Sequence, residues 1–293
     1  MTTISRSPFQ SPRRLPPSLT LIGASRTLLG DLDLDGNTPR WEGGGVGFTG
    51  LPCGEEPVPF ISSCDTEALT DLGAEGETQF DPFNLWAGVR CSTMSSSIAA
   101  GEVRARAALE VDRHRQIEHE FWTGDVAAAE SLPNLWLAQD GVAVELSGAG
   151  ESSPLRYALA ALQEALGSGS AGGPGCGRGM IHATIQTAAL WMAEQMVRRE
   201  GALLLDAFDN VIVPGVGYDG SAPDGTIDGT GETAWAYATG IVDTRLGAVS
   251  VSSAVRVEDN DVRVIAQQPA IAYWDGCCHY GINVNLCLTG CGS

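Results

Sequence analysis

The chain has 293 residues, 43% of them hydrophobic and 18% charged, with a formal net charge of −19. That length predicts roughly two domains, and the apolar fraction is enough for a sizeable core. The acidic balance excludes a protein built to grip phosphate backbones and disfavours adhesion to anionic membranes.

All 17 basic residues are arginine. Without lysine, a Schiff base, a phosphate-loop lysine and a Ser–Lys dyad are excluded. The eight cysteines are Cys53, Cys64, Cys91, Cys176, Cys277, Cys278, Cys287 and Cys291. No secretory signal is read in the opening residues, so reduced thiols are expected. No apolar run approaches the ~18 residues of a membrane span.

In chain order, residues 1–30 carry Arg6, Arg13, Arg14 and Arg26 and no acid, with Pro8, Pro12, Pro16 and Pro17 opposing a regular helix at the start. This reads as an extended basic arm that must lie on another surface. Residues 31–95 are turn-rich, and a protruding hairpin with long loops is expected there. A long helix is predicted over Ile98 to Phe121, with Val103, Ala107, Val111, Ile117 and Phe121 as a thin apolar stripe. Its other faces carry pairs at four-residue spacing, Glu102 with Arg106, Arg106 with Glu110 and Glu110 with His114.

A second helix is expected with Ser153 as cap, Pro154 in the first turn, Leu155, Leu159, Leu162 and Leu166 as its apolar face, and Gly167 at its end. A third runs from Ile185 to Arg199, closed by Gly201. The remainder reads as β-rich: Val211 to Val213, Ala248 to Val257, Val262 to Ala266, and Ile282 to Leu286. The last run alternates with Asn283 and Asn285 as a half-buried strand does.

Several spellings suggest chemistry, and each has a plainer reading. Asp31, Asp33, Asp35, Gly36 and Glu42 match a calcium loop, but Pro39 and Gly43-Gly44-Gly45 favour an acidic turn. Gly215, Gly217 and Gly220 follow an apolar strand in the dinucleotide spacing. The acidic loop that follows would repel phosphate, so an exposed glycine-rich tip is preferred. Gly172 to Gly177 has phosphate-loop spacing, but Arg178 and Gly179 stand where lysine and a hydroxyl are needed. Cys277, Cys278, His279, Cys287 and Cys291 offer soft ligands for zinc. They contain no C-x-x-C pair, which favours free or buried thiols, with a late disulfide as a further option. His114 and Glu118 share a helix face and, with Glu110, read as a solvated ion-pair face. His119 points elsewhere, and His182 is given a capping role before the third helix. No nucleophile, base and oxyanion set converges. No catalytic, cofactor-binding or metal residue is therefore assigned, no cofactor is implied, and the chain is not expected to be an enzyme.

The order of elements is the informative feature: a basic arm, a turn-rich extended segment, a long charged helix, then a compact α/β region whose last strands return after an inserted loop. With it go Glu118-His-Glu-Phe-Trp-Thr-Gly124-Asp125, Gly179 to Thr184 opening a helix, Asn210-Val-Ile-Val-Pro214, Trp235 to Gly240, and Ala270 to Leu286. Over roughly residues 97–288 the chain resembles the major capsid proteins of tailed bacteriophages, whose fold encapsulins and the herpesvirus capsid floor share. Residues 31–95 match mainly by position.

The resemblance implies an α+β chain with the tailed-phage major capsid fold. Its parts are an N-terminal arm (1–45), an extended loop (46–96), the spine helix with the first part of the peripheral domain (97–152), an axial domain with its leading helix (153–245), and closing peripheral strands (246–293). It implies self-assembly into pentamers and hexamers of an icosahedral head around double-stranded DNA. Companions would be scaffold, portal or decoration proteins, with non-specific DNA contact and no membrane. The location would be the virion, with assembly in the host cytoplasm. Another virion protein (connector, tail or decoration) and an encapsulin-like cargo shell stay as alternatives. A small metal-binding or hydrolytic enzyme is the remaining one. The lysine–asparagine cross-links of some family members are ruled out here by the absence of lysine.

Overall fold

The computed structural model describes residues 19–29, 41–49, 77–92, 97–148, 151–168, 176–256, 261–276 and 278–287. The calcium-loop spelling up to Arg40, most of the basic arm, the Gly172 to Gly175 run and Cys53, Cys64, Cys277 and Cys291 lie outside them, while Glu42 falls in a described helix.

Helix α1 spans Leu21–Leu29 and α2 spans Trp41–Gly44. The expectation of an extended arm fails for the first of these. Leu21, Ile22 and Ala24 are buried in the main core, and the Ser25 hydroxyl donates to the Val242 carbonyl at 2.8 Å. Strands β1 (Val46–Thr49) and β2 (Glu77–Phe80) pair antiparallel with Val46 opposite Phe80. They form the base of a hairpin, as the turn-rich segment predicted. Strand β3 is Phe83–Ser92.

Helix α3 runs over Ile98–Thr123, 26 residues, two beyond the predicted end. The Ser97 hydroxyl accepts from Ala100 N–H, and Gly124 closes the helix at φ +64° with its N–H on the Glu120 carbonyl, a left-handed cap that suits glycine. The predicted stripe is wrong in its first half. Gly101, Ala105 and Leu109 are buried, whereas Val103 is 67% exposed. Small residues let the helix backbone approach the strands beneath it, so the larger valines are not needed there. Ile117 and Phe121 are buried as expected. The charged pair seen on the helix is Asp112 with Arg115, three residues apart.

After α4 (Asp125–Glu130) come two short strands, β4 (Val144–Glu145) and β5 (Ser153–Pro154), and then α5 (Leu155–Ser168). Leu155, Leu159, Leu162 and Leu166 form its buried face as predicted. Ser153 does not cap it, because Ser153 and Pro154 pair with a strand. Strand β6 (Met180–Thr184) leads into α6, which is Ile185–Ala193 and shorter than expected. Gln195 takes φ +59°, and Arg198 and Arg199 belong to β7 (Arg198–Glu200) instead. The Thr184 hydroxyl, not His182, caps α6 by accepting from Thr187 N–H at 3.2 Å.

The remaining strands are β8 (Leu203–Leu205), β9 (Val211–Gly215), β10 (Thr233–Thr239), β11 (Asp243–Leu246), β12 (Ser250–Arg256), β13 (Asp261–Tyr273) and β14 (His279–Asn285). They build two sheets. In the larger, the order is β4-β14-β10-β6-β9-β8-β7, with β5 also on β14. Strands β6 and β9 run parallel, and β10 lies antiparallel to both β6 and β14. The alternation read at Ile282 to Leu286 holds, with Ile282, Val284 and Leu286 buried.

The smaller sheet is antiparallel, with β13 between β3 on one side and β11 and β12 on the other. Strand β13 passes through Pro269, which cannot donate to a ladder. The residue falls between the end of β12 pairing at Gln267 and the start of β11 pairing at Ala270. Its carbonyl accepts from Gly247 N–H at 2.8 Å, and the Gly247 carbonyl takes its hydrogen bond from Gln268 Nε2, also at 2.8 Å, in place of a strand donor.

One core lies between α3, the smaller sheet and one face of the larger sheet, with Phe121 5.0 Å and Phe80 5.6 Å from the Trp274 ring centroid. A second core lies between the other face of the larger sheet and helices α5 and α6, around Leu159, Leu162, Trp191 and Ile282.

Candidate functional site

The C-terminal half of α3 is where the pieces meet. Glu118 is fully buried. One carboxylate oxygen accepts from Leu21 N–H at 2.9 Å and the other from Gly217 N–H at 3.1 Å. One side chain therefore ties the N-terminal helix and the β9–β10 loop to the long helix. Burial pushes its pKa up to about 7, partly opposed by these backbone donors. One turn earlier His114, also buried, contacts the Thr20 hydroxyl at 3.1 Å. The solvated ion-pair reading of His114 and Glu118 is thus overturned: this face turns inward because α1 covers it. The sequence offered no signal for that cover.

Glu120 caps the next helix, accepting from Val126 N–H and Ala127 N–H, both at 2.8 Å. Its pKa is raised, chiefly by burial. His119 faces outward and meets Asp125 at 3.1 Å. Gly217, read as part of an exposed tip, abuts the backbone of α3 at Arg115 and His119, where any Cβ would collide. The glycines after β9 serve close packing as well as turning. No helix opens the loop that follows them, so the dinucleotide spelling lacks its phosphate-binding end.

His182 is fully buried in β6, with Nδ1 2.9 Å from the Tyr218 hydroxyl and Nε2 2.9 Å from the Thr239 hydroxyl. Burial, then the nearby His279, hold its pKa near 3. His279 is held down to about 4, also by burial. Neutral imidazoles with such values do not take up protons near neutral pH, and both ring nitrogens of His182 already have hydroxyl partners. This is a structural network. Trp122 extends it, donating Nε1–H to the Ser221 hydroxyl at 2.9 Å.

Cys278 bonds to Cys176, 102 residues away, with Cα atoms 6.0 Å apart, within the usual span of a disulfide. Cys287 is also disulfide-bonded. The expectation of free thiols is corrected for these three. Proximity in sequence suggested a C-terminal cluster, but the partner of Cys278 sits before β6, where no local pattern reveals it. Among the described residues no group of three or more His, Cys, Asp or Glu is placed to hold a metal, and no helix is long and apolar enough to cross a membrane.

A concavity of about 1310 Å³ lies between α3 and β3. Trp86, 60% exposed, and Val103 line it with Ala107 and Val111. The first half of the stripe expected to face inward is thus an outward apolar surface. Gln116 lies beside it, accepting from Trp86 N–H at 2.9 Å and donating to the Trp86 carbonyl at 2.8 Å. That pairing mimics a neighbouring strand on β3.

No family model matches the chain, and no curated protein does. Solved structures do. The capsid of an empty GTA particle aligns over 95% of this chain and 95% of its own, at 13% identity and TM-score 0.50. A structure from Mycobacterium phage Che8 covers 96% of this chain and 98% of its own at 12% identity and TM-score 0.45. The holo encapsulin complex from Synechococcus elongatus covers 74% and 79% at 8% identity and TM-score 0.47. The arrangement of long helix, antiparallel outer sheet and helix-backed mixed sheet, matched along nearly the whole GTA particle subunit, shows that this chain has the tailed-phage major capsid fold.

Proposed function

We propose that this chain is a non-enzymatic shell subunit, the major capsid protein of a phage head, which assembles from pentamers and hexamers into an icosahedral particle around double-stranded DNA. The observation that carries the reading is the end-to-end correspondence with a particle capsid. Exposed apolar side chains on a strongly acidic chain, Trp86 and Val103 among them, fit a subunit that buries further surface against copies of itself. The buried histidine network offers no acid–base pair to an enzyme.

The parts are assigned as an N-terminal segment (1–45) whose described residues pack into the subunit's own core, an extended loop (46–96) rooted at the β1–β2 pair, the spine helix and the start of the peripheral domain (97–152), an axial domain (153–245) and closing strands (246–293). One refinement follows from strand order: β14 pairs with β10 in the larger sheet, so the closing segment serves both domains. Scaffold, portal or decoration proteins and non-specific contact with DNA complete the proposal, with assembly in the host cytoplasm and the virion as destination.

An encapsulin-like cargo shell uses the same fold and differs in contents. Negative-stain microscopy of the purified protein or its source particle, with nucleic acid and protein contents measured, tests both readings. Closed shells or rings of five and six are expected, with double-stranded DNA inside native particles. Native shells that hold a cargo enzyme and no DNA move the assignment to the encapsulin-like reading. A monomer that never associates with particles removes both.

A further inference from the structure

Phe208 is 71% exposed, the most exposed large apolar side chain among the described residues. It stands on the turn between β8 and β9, and that turn is unusually well braced. Asp206, 1% exposed, accepts from Phe208 N–H at 2.8 Å and from Asn210 N–H, Asn210 Nδ2 and Gln163 Nε2, each at 2.9 Å. Arg198 donates to the Asp206 carbonyl and Arg178 to the Asp209 carbonyl, both at 2.6 Å. Asp209 takes φ +65°, a conformation that strains a residue with a side chain. Strain and a saturated buried carboxylate together hold an aromatic ring out in water.

At the opposite end of β9, Ile185, Val216, Ile227 and Leu286 line a hollow of about 310 Å³. Ile185 is 53% and Ile227 58% exposed. Asp219 and Asp228 are on its wall, and no arginine is. The braced turn carries arginine instead: Arg178 and Arg198 flank Phe208, Arg198 pairs with the Asp209 carboxylate and lies 3.9 Å from that of Glu200, and Arg178 meets no carboxylate among the described residues. Aromatic and arginine side chains are the commonest energetic anchors of protein interfaces.

We infer that Phe208 of one copy seats in the Ile185–Ile227 hollow of a second copy, with Arg178 against the aspartate wall. Knob and hollow are different surfaces of one chain, so the contact is head-to-tail and closes into a ring when the rotation permits. The inference rests on the shell reading above and names a contact within it.

The test is a photo-cross-linking benzophenone analogue of phenylalanine incorporated at position 208, irradiated in assembled particles, with cross-linked peptides mapped by mass spectrometry. Cross-links to residues 184–186, 215–220 or 227–233 of another copy are expected. Closed particles whose cross-links fall elsewhere, or only within one chain, overturn the contact and leave the shell reading standing. Failure of the unlabelled chain to assemble at all strikes the shell reading itself. Separately, Phe208→Ser and Ile227→Asp should each reduce the assembled fraction by about tenfold or more with no change in the melting temperature of the subunit. Wild-type assembly by both variants contradicts the inference.

Discussion

At the residue scale, Glu118 decides how the pieces of the subunit are held. Its buried carboxylate has a folded pKa of about 7 against an ordinary 4.5, so the folded chain binds that proton more tightly than the unfolded chain. The contribution favours folding fully below pH 4.5 and is lost as the pH rises through 7. Its size is on the order of 3 kcal/mol. Buried His182 and His279, both held well below 6.5, contribute with the opposite sign on acidification, so the Glu118 part is read from the difference between wild type and a Glu118 variant between pH 8 and 5.5. Glu118→Gln should remove that contribution, so that the wild-type melting temperature gains on the variant's as the pH falls, and should itself cost about 1–3 kcal/mol because an amide nitrogen cannot accept from a backbone N–H. Thermal melts of both proteins across this range check the sign. Gly217 supplies a second prediction. A methyl group there meets the α3 backbone rather than a flexible side chain, so Gly217→Ala should destabilise by about 2 kcal/mol or more, measured by urea unfolding.

At the scale of elements, much was legible and the failures share a cause. The long helix, the apolar face of α5 and the alternation in β14 are local periodicities, and each was read correctly. The orientation of the first half of α3 was not, because Val103 and Ala107 look like core residues until Gly101 and Ala105 are seen to permit a closer approach. The Ser153 cap and the length of α6 failed for another reason: strand pairing competes with helix signals, and pairing is non-local. The candidate junction was the least legible part. Glu118, His114 and His182 looked like solvated or capping residues because the elements that cover them come from residues 20–25, 217–218 and 239. The disulfide is the extreme case, joining positions 102 residues apart. A loop that long is worth up to about 4.7 kcal/mol in the chain-entropy account. Cys278→Ser should lower the melting temperature by several degrees, and added reductant should lower the wild type at least as far, since Cys287 is bonded too. Peptide mapping without reductant should recover the Cys176–Cys278 pair.

At the scale of the whole molecule, the outer groove between α3 and β3 separates subunit stability from assembly. Trp86 and Val103 touch water in the isolated chain, so Val103→Asp or Trp86→Ser should leave unfolding free energy within about 0.5 kcal/mol. If that surface is covered in the shell, the same variants should reduce particle yield, which sedimentation of the lysate reports. The described part of the N-terminal region bears on the same point. Leu21 and Trp41 lie in the subunit's own core, so these residues are not held in reserve for a neighbour. The most direct test of the account is the mass distribution of the purified chain over a range of concentrations, by mass photometry or native mass spectrometry. The account predicts species at five and six times the 30.6 kDa chain, or closed particles of megadalton mass. A single 30.6 kDa species at every concentration would contradict it.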